Sequence, residues 1–193
     1  NYTYAGDTTA YTYDYDDNVK TISVNSQVTT YIYDDFGRLT QLLSPDTGTQ
    51  NVSYNTVNGT KTRVDSNGIT HTTTADIEGK VTTITHSNVN GTLTENYEYN
   101  NENKLKKITD NTGNTEYFYD NYGFMNKKTQ TTNGKSFNVL YDNNNLGQTT
   151  GVTYPSGMTV HYTYSQGFLT NIYVNGTDII KNVTYNSLEK QPV

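Results

Sequence analysis

Acidic side chains crowd the stretch Tyr13-Asp14-Tyr15-Asp16-Asp17, in which Asp14 and Asp16 fall on one strand face beside Asp17. Clustered carboxylates are what a hard cation such as calcium requires, but a calcium loop needs further oxygen ligands at set spacings. The stretch therefore reads first as a turn and solvated edge, and only second as an ion site. DNTGNTE, residues 110–116, alternates oxygen-bearing residues in the same way, yet lacks the glycine and terminal glutamate of a twelve-residue calcium loop. Glycoside hydrolysis needs two carboxyls facing each other across a cleft. Glu95, Glu98, Glu102, Asp110, Glu116 and Asp120 offer candidates, but they return at intervals, as turn formers do. His71, His86 and His161 are too scattered to define a metal site from sequence. The chain has no Cys, which removes disulfides, thiolate metal sites and cysteine nucleophiles. No nucleophile elbow, phosphate loop or HExxH helix is present.

The residues left to explain are 19 tyrosines, and their spacing leads from chemistry to architecture. Taking the second tyrosine of each Tyr-x-Tyr-[Asp/Asn] as an anchor, copies fall at Tyr13, Tyr33, Tyr54, Ala75 (a degenerate copy), Tyr99, Tyr119, Tyr141, Tyr164 and Tyr185. The interval is 20 to 24 residues throughout, so nine copies of about 21 residues form one array over residues 1–193. Five residues after the Asp comes an apolar position (Val19, Leu39, Val81, Leu105) and eight after it another (Ile22, Leu42, Ile84, Ile108). Position +3 is Gly37, Gly79 or Gly123, replaced by Asp17 and Asn103 elsewhere. Gly, Asn and Asp share a tolerance for the left-handed backbone of tight turns.

A second turn signal lies between anchors, at Asn58-Gly59, Ser66-Asn67-Gly68, Val89-Asn90-Gly91, Asn133-Gly134 and Val174-Asn175-Gly176. Asn-Gly between strand formers predicts a type I′ hairpin turn. Each copy then holds two strands of about 5–7 residues and two turns. The pairs Tyr11/Tyr13, Tyr31/Tyr33, Tyr97/Tyr99, Tyr117/Tyr119 and Tyr162/Tyr164 each point to one face of a strand. Stacked copies are expected to align ring beside ring in aromatic ladders. The +5 and +8 positions, three apart, break strict alternation and predict a bulge or twist between them.

Only 32% of residues are hydrophobic, so a conventional core is not expected; the abundance of Tyr and Thr still argues for ordered strands rather than disorder. A net charge of −6 argues against nucleic acid and against an anionic membrane surface as partner. No apolar run approaches the ~20 residues of a membrane span. The opening NYTYAGDTTA has neither a basic and apolar leader nor a Met, and reads as an excised segment.

Tyr31, Tyr33, Asp34, Gly37, Arg38 and Leu39 of YIYDDFGRLTQL resemble the YD-repeat, or RHS-repeat, family, whose pattern runs Tyr-x-Tyr-Asp-x-x-Gly-Arg-Leu. YEYNNENKLKKI and YFYDNYGFMNKK, with Tyr119, Asp120 and Gly123, match with substitutions, and GNTEYFYD repeats the Gly-x-Thr lead-in. The resemblance implies an all-β fold: tandem β-hairpins in a curved, spiralling antiparallel sheet, an open segment of an RHS-type shell. It further implies a non-catalytic scaffold of a large extracellular protein, secreted or wall-associated, that encloses or delivers a toxin. Its partners would be neighbouring repeats of the same parent; no cofactor or metal is implied. The alternative is an adhesion module binding carbohydrate or a host protein through its tyrosine-rich face, and a weaker third is a glycan-cleaving enzyme. The family's terminal Asp-Pro-x-Gly-Leu motif is missing, the prolines being Pro45, Pro155 and Pro192. Cleavage site and effector are thus expected elsewhere. The sequons at Asn58, Asn90 and Asn175 matter only in a glycosylating source, and the Asn- and Thr-rich usage reads as bacterial. Open sheet edges invite edge-to-edge pairing of isolated fragments.

Overall fold

The computed structural model describes residues 2–4 and 7–186, with side chains from Thr8 onward. It holds eighteen strands and no helix among the described residues. A first compact unit, Asn1–Asn96, contains β1 (Tyr2–Tyr4), β2 (Asp7–Tyr13), β3 (Val19–Val24), β4 (Gln27–Tyr33), β5 (Leu39–Ser44), β6 (Gly48–Asn55), β7 (Thr60–Val64), β8 (Thr70–Ala75), β9 (Val81–Asn88) and the start of β10 (Gly91–Tyr99). The second, Tyr97–Val193, holds the end of β10, then β11 (Leu105–Asp110), β12 (Gly113–Tyr119), β13 (Met125–Thr132), β14 (Lys135–Asn143), β15 (Thr149–Thr153), β16 (Thr159–Ser165), β17 (Phe168–Val174) and β18 (Thr177–Ile180). In the first unit each strand pairs antiparallel with the next, from β1 to β10. The same holds from β11 to β18 in the second. The fold is all-β, two strands to a copy.

Interior burial is sparse. Among the described residues, Val52 in the first unit, and Thr129, Gly151, Val152 and Val160 in the second, are the well-buried ones, and no side chain is fully buried. Regular backbone pairing and repeated polar contacts must therefore contribute much of what a thick core supplies elsewhere.

The bulge expected between +5 and +8 occurs at +6. Ile32 pairs with Gln41 and Tyr33 with Leu39, leaving Thr40 as the extra residue. The same shift leaves Lys20, Thr82, Asn126, Thr150 and Thr170 unpaired in their copies. It resolves the three-residue spacing: +5 stands opposite the second tyrosine, and +8 opposite the first, as in Tyr33↔Leu39 and Tyr31↔Leu42. At three bulges the extra residue's hydroxyl donates to the carbonyl across the turn: Thr40 to Ile32 (3.1 Å), Thr82 to Thr74 (3.3 Å) and Thr170 to Thr163 (3.1 Å). Threonine suits the site because it is β-branched and carries a donor.

The turns divide less simply than expected. Gly37, Gly79 and Gly123, with Asp17 and Asn103, take positive φ at +3 as predicted, and Gly147 takes it three residues after Asn144. After Tyr54 the turn is one residue longer, with positive φ at Gly59, and after Tyr164 it shrinks to Gln166-Gly167. Asn133-Gly134 and Asn175-Gly176 have two consecutive positive φ angles, the type I′ signature, as do Asn25-Ser26. Ser66-Asn67-Gly68 does not: only Gly68 is positive, and Asp65 heads an Asp-x-x-Gly turn. At Asn90-Gly91 the asparagine is not positive either.

Candidate functional site

The feature that recurs from copy to copy is a turn tied to the tyrosine of the next copy. Asp34 Oδ1 accepts the N–H of Phe36 (3.0 Å) and of Arg38 (2.9 Å), while the Asp34 N–H donates to the Arg38 carbonyl and the Gly37 N–H to the Asp34 carbonyl. Short carboxylate or amide acceptors are what such a turn needs, which is why Asp14, Asp65, Asp76, Asp120, Asn100 and Asn144 hold the same two N–H groups. Arg38 donates from Nε to Asp34 Oδ2 at 2.8 Å, and its guanidinium lies 4.4 Å from the Tyr54 ring centre, one copy on. Lys104 repeats that placement over Tyr119 at 5.4 Å. The Arg38 bond, with the turn N–H groups and against partial burial, holds the Asp34 carboxyl below its ordinary pKa. Asn18 does the same for Asp14.

The tyrosine then closes the link. Tyr33 Oη donates to the Val19 carbonyl (2.9 Å), Tyr54 to Leu39 (3.1 Å), Tyr119 to Leu105 (2.7 Å), Tyr164 to Thr149 (2.8 Å) and Tyr185 to Leu169 (2.8 Å). Each acceptor sits just beyond the preceding turn, where Val19, Leu39, Thr149 and Leu169 pair with the anchor of their own copy. Asn143 makes the equivalent bond from Nδ2 to the Met125 carbonyl at 2.9 Å. That corrects the anchor read at Tyr141: the turn of this copy starts at Asn144, so Asn143 takes the tyrosine's place. Burial raises the pKa of Tyr33, Tyr119 and Tyr164, in keeping with neutral donors.

At the linked tyrosines this geometry differs from the stacked ladders expected. Among the described residues, rings meet at His71–His86 and at Phe168–Tyr185. Tyr33, Tyr54, Tyr119 and Tyr164 reach the previous copy by hydroxyl instead. Tyr31, Tyr97, Tyr99, Tyr117 and Tyr162 are half-buried, whereas the intervening Ile32, Glu98 and Phe118 are exposed. Tyr11 and Tyr13, in the first copy, are exposed. The most exposed aromatics, Tyr15, Phe36 and Tyr122, stand singly at turn tips.

The remaining candidates disperse. Asp14 spends both oxygens on its own turn, and Asp110 Oδ1 accepts from Thr112 and the Gly113 N–H. Glu98, Glu102 and Glu116 face Lys106, Lys104 and Lys107 respectively. No group of three or more His, Cys, Asp or Glu among the described residues is placed to hold a metal ion. Two histidines that look unrelated in sequence do meet: the β7–β8–β9 register sets Arg63, His71 and His86 in one row, with His71 Nδ1 2.7 Å from His86 Nδ1. His161 lies in the other unit, opposite Tyr173.

Comparison with known proteins gives the pattern its context. A family model described as Teneurin YD-shell matches residues 43–191, and one described as RHS Repeat matches residues 13–49. No curated protein is a significant match. Among solved structures, the chain superimposes on the crystal structure of TcdB2-TccC3-Cdc42 with a TM-score of 0.82 at 14% identity, over 97% of this chain and 11% of that one. TcdB2-TccC3 without its hypervariable C-terminal region matches equally, at TM-score 0.82, 14% identity, 97% and 11%. The chain thus spans about a tenth of the length of these structures, and the likeness is one of fold.

Proposed function

Because the chain belongs to the teneurin YD-shell and RHS-repeat family, we propose that it is non-catalytic wall: one continuous repeat array over residues 1–193, part of the shell of a large extracellular protein that encloses or delivers a toxin. In this reading the motif residues Tyr33, Asp34, Gly37, Arg38 and Leu39, and their equivalents, are structural, and their partners are neighbouring repeats. The observation that carries it is the hydroxyl-to-carbonyl link repeated from copy to copy. Such a link uses the motif residues to join hairpins, and it spreads stability along the array as nearest-neighbour terms. The small share of the TcdB2-TccC3 chains that is covered supports a larger parent. A wall needs no deep core, since each hairpin is held by its neighbours and by side chains bound across turns.

The test is electron microscopy of the whole parent protein combined with limited proteolysis. A hollow particle, with a segment resistant to protease until the particle is unfolded, is the expected result. A solid rod or bead chain with no interior, and no protected segment, would refute the shell.

A further inference from the structure

We propose that His71 and His86 form a divalent transition-metal site on the first unit, selective for Cu(II). The two residues lie directly opposite each other on β8 and β9, the position in a sheet that brings side chains closest. Their rings meet at 75° with Nδ1 facing Nδ1 at 2.7 Å. A contact of that kind holds a single proton between two nitrogen lone pairs. An ion that replaces the proton is bound by both nitrogens. Cu(II) binds imidazole most strongly among the first-row divalent ions, and its tetragonal geometry accepts two imidazole nitrogens as neighbouring ligands. His86 is exposed, so rotation of its ring aims both lone pairs at one point, and solvent completes the coordination.

The surroundings fit as well. His71 Nε2 lies 3.2 Å from Asp65 Oδ2, the carboxylate–histidine arrangement that fixes a ligand's tautomer and increases its basicity in metal sites. Asp65 is itself held by the N–H groups of Asn67 and Ile69, so the carboxylate is positioned before any ion arrives. Two cations line the same cleft, each with a partner of its own: Arg63 donates to Gln50 Oε1 at 2.9 Å, and the Lys61 ammonium lies 5.7 Å from the Tyr54 ring centre. Glu95, on β10, lines the same cleft and adds negative charge.

The experiment is titration of the 193-residue chain with Cu(II), followed by calorimetry and by electron paramagnetic resonance. One equivalent per chain, with hyperfine structure from two imidazole nitrogens, is expected. His86→Ala, at an exposed position, should remove the two-nitrogen signature, and His161→Ala should leave it unchanged. Asp65→Asn should weaken affinity by about 10–100-fold. A wild-type spectrum without two coupled nitrogens, or one that persists in His86→Ala, overturns the site.

Discussion

Removing one hydroxyl from the chain, by Tyr119→Phe, isolates the interaction on which the repeat depends. The Tyr119 hydroxyl donates to the Leu105 carbonyl at 2.7 Å, the usual length of an O–H···O bond. The substitution keeps the ring, and with it the Lys104 ammonium 5.4 Å from the ring centre. What is lost is one hydrogen bond, worth about 0.5–1.5 kcal/mol net, and the partly buried carbonyl forfeits this donor, which raises the cost toward the 1–3 kcal/mol of an unmet polar group. We expect about 1–2 kcal/mol in total. For a chain of this size that lowers Tm by roughly 2–8 °C. Because a repeat array opens locally, the loss should concentrate where the link lies, so amide hydrogen exchange of β11 and β12 should accelerate more than that of β16 and β17. Tyr122→Phe is the control, since Tyr122 is 77% exposed at a turn tip. If Tyr119→Phe and Tyr122→Phe unfold and exchange alike, the hydroxyl link does not hold the copies together.

Thr40→Val keeps the β-branch but deletes the bulge hydroxyl that reaches the Ile32 carbonyl; thermal unfolding should show a loss of about 0.5–1.5 kcal/mol. Gly37→Asn should be almost neutral, because Asn103 holds the same turn position at φ 61°. Gly37→Ala, where an added Cβ meets nothing nearer than 4.0 Å, should cost about 1–2 kcal/mol from the left-handed backbone alone. Asp14, Asp34, Asp65, Asp76 and Asp110 all have lowered folded pKa values. Their stabilisation is therefore present above the unfolded value of 3.8 and is lost as pH falls through the folded values, so urea midpoints should drop below about pH 4. Tyr33, Tyr119, Tyr141 and Tyr164 are raised above 10.0. Their contribution is complete below pH 10 and is lost as pH climbs through the folded values, so a flat urea midpoint from pH 10 upward would contradict the partly buried phenols.

Much of this architecture is legible in the residues, and what escapes does so for identifiable reasons. Tyr31-x-Tyr33-Asp34 and its relatives announce hairpins because the period, the turn Asp and the +3 glycine agree with one another. The role of the tyrosine is harder to read: Tyr33 signals a half-buried strand face whether its ring stacks or its hydroxyl bonds, and only the separation of Tyr33 from Val19 decides. Asn143 is hidden because Tyr141-Asp142 imitates the motif two residues early, while an amide can do a phenol's donating. Ser66-Asn67-Gly68 resembles a two-residue hairpin turn until Asp65 is seen to accept the N–H groups of Asn67 and Ile69. His71 and His86 are fifteen residues apart, a distance that means nothing until strand register places them opposite. Bulges at Thr40, Thr82 and Thr170 follow from the +5/+8 spacing, though the sequence alone does not say which residue is extruded.

The most direct measurement is an atomic-resolution crystal structure of this chain, read at the phenol oxygens of Tyr33, Tyr54, Tyr119 and Tyr164. Oxygen-to-oxygen distances of about 2.5–3.0 Å to the carbonyls of Val19, Leu39, Leu105 and Thr149 are the expected result. Phenols turned to solvent, or stacked ring on ring between copies with those carbonyls bound by water, would contradict the account.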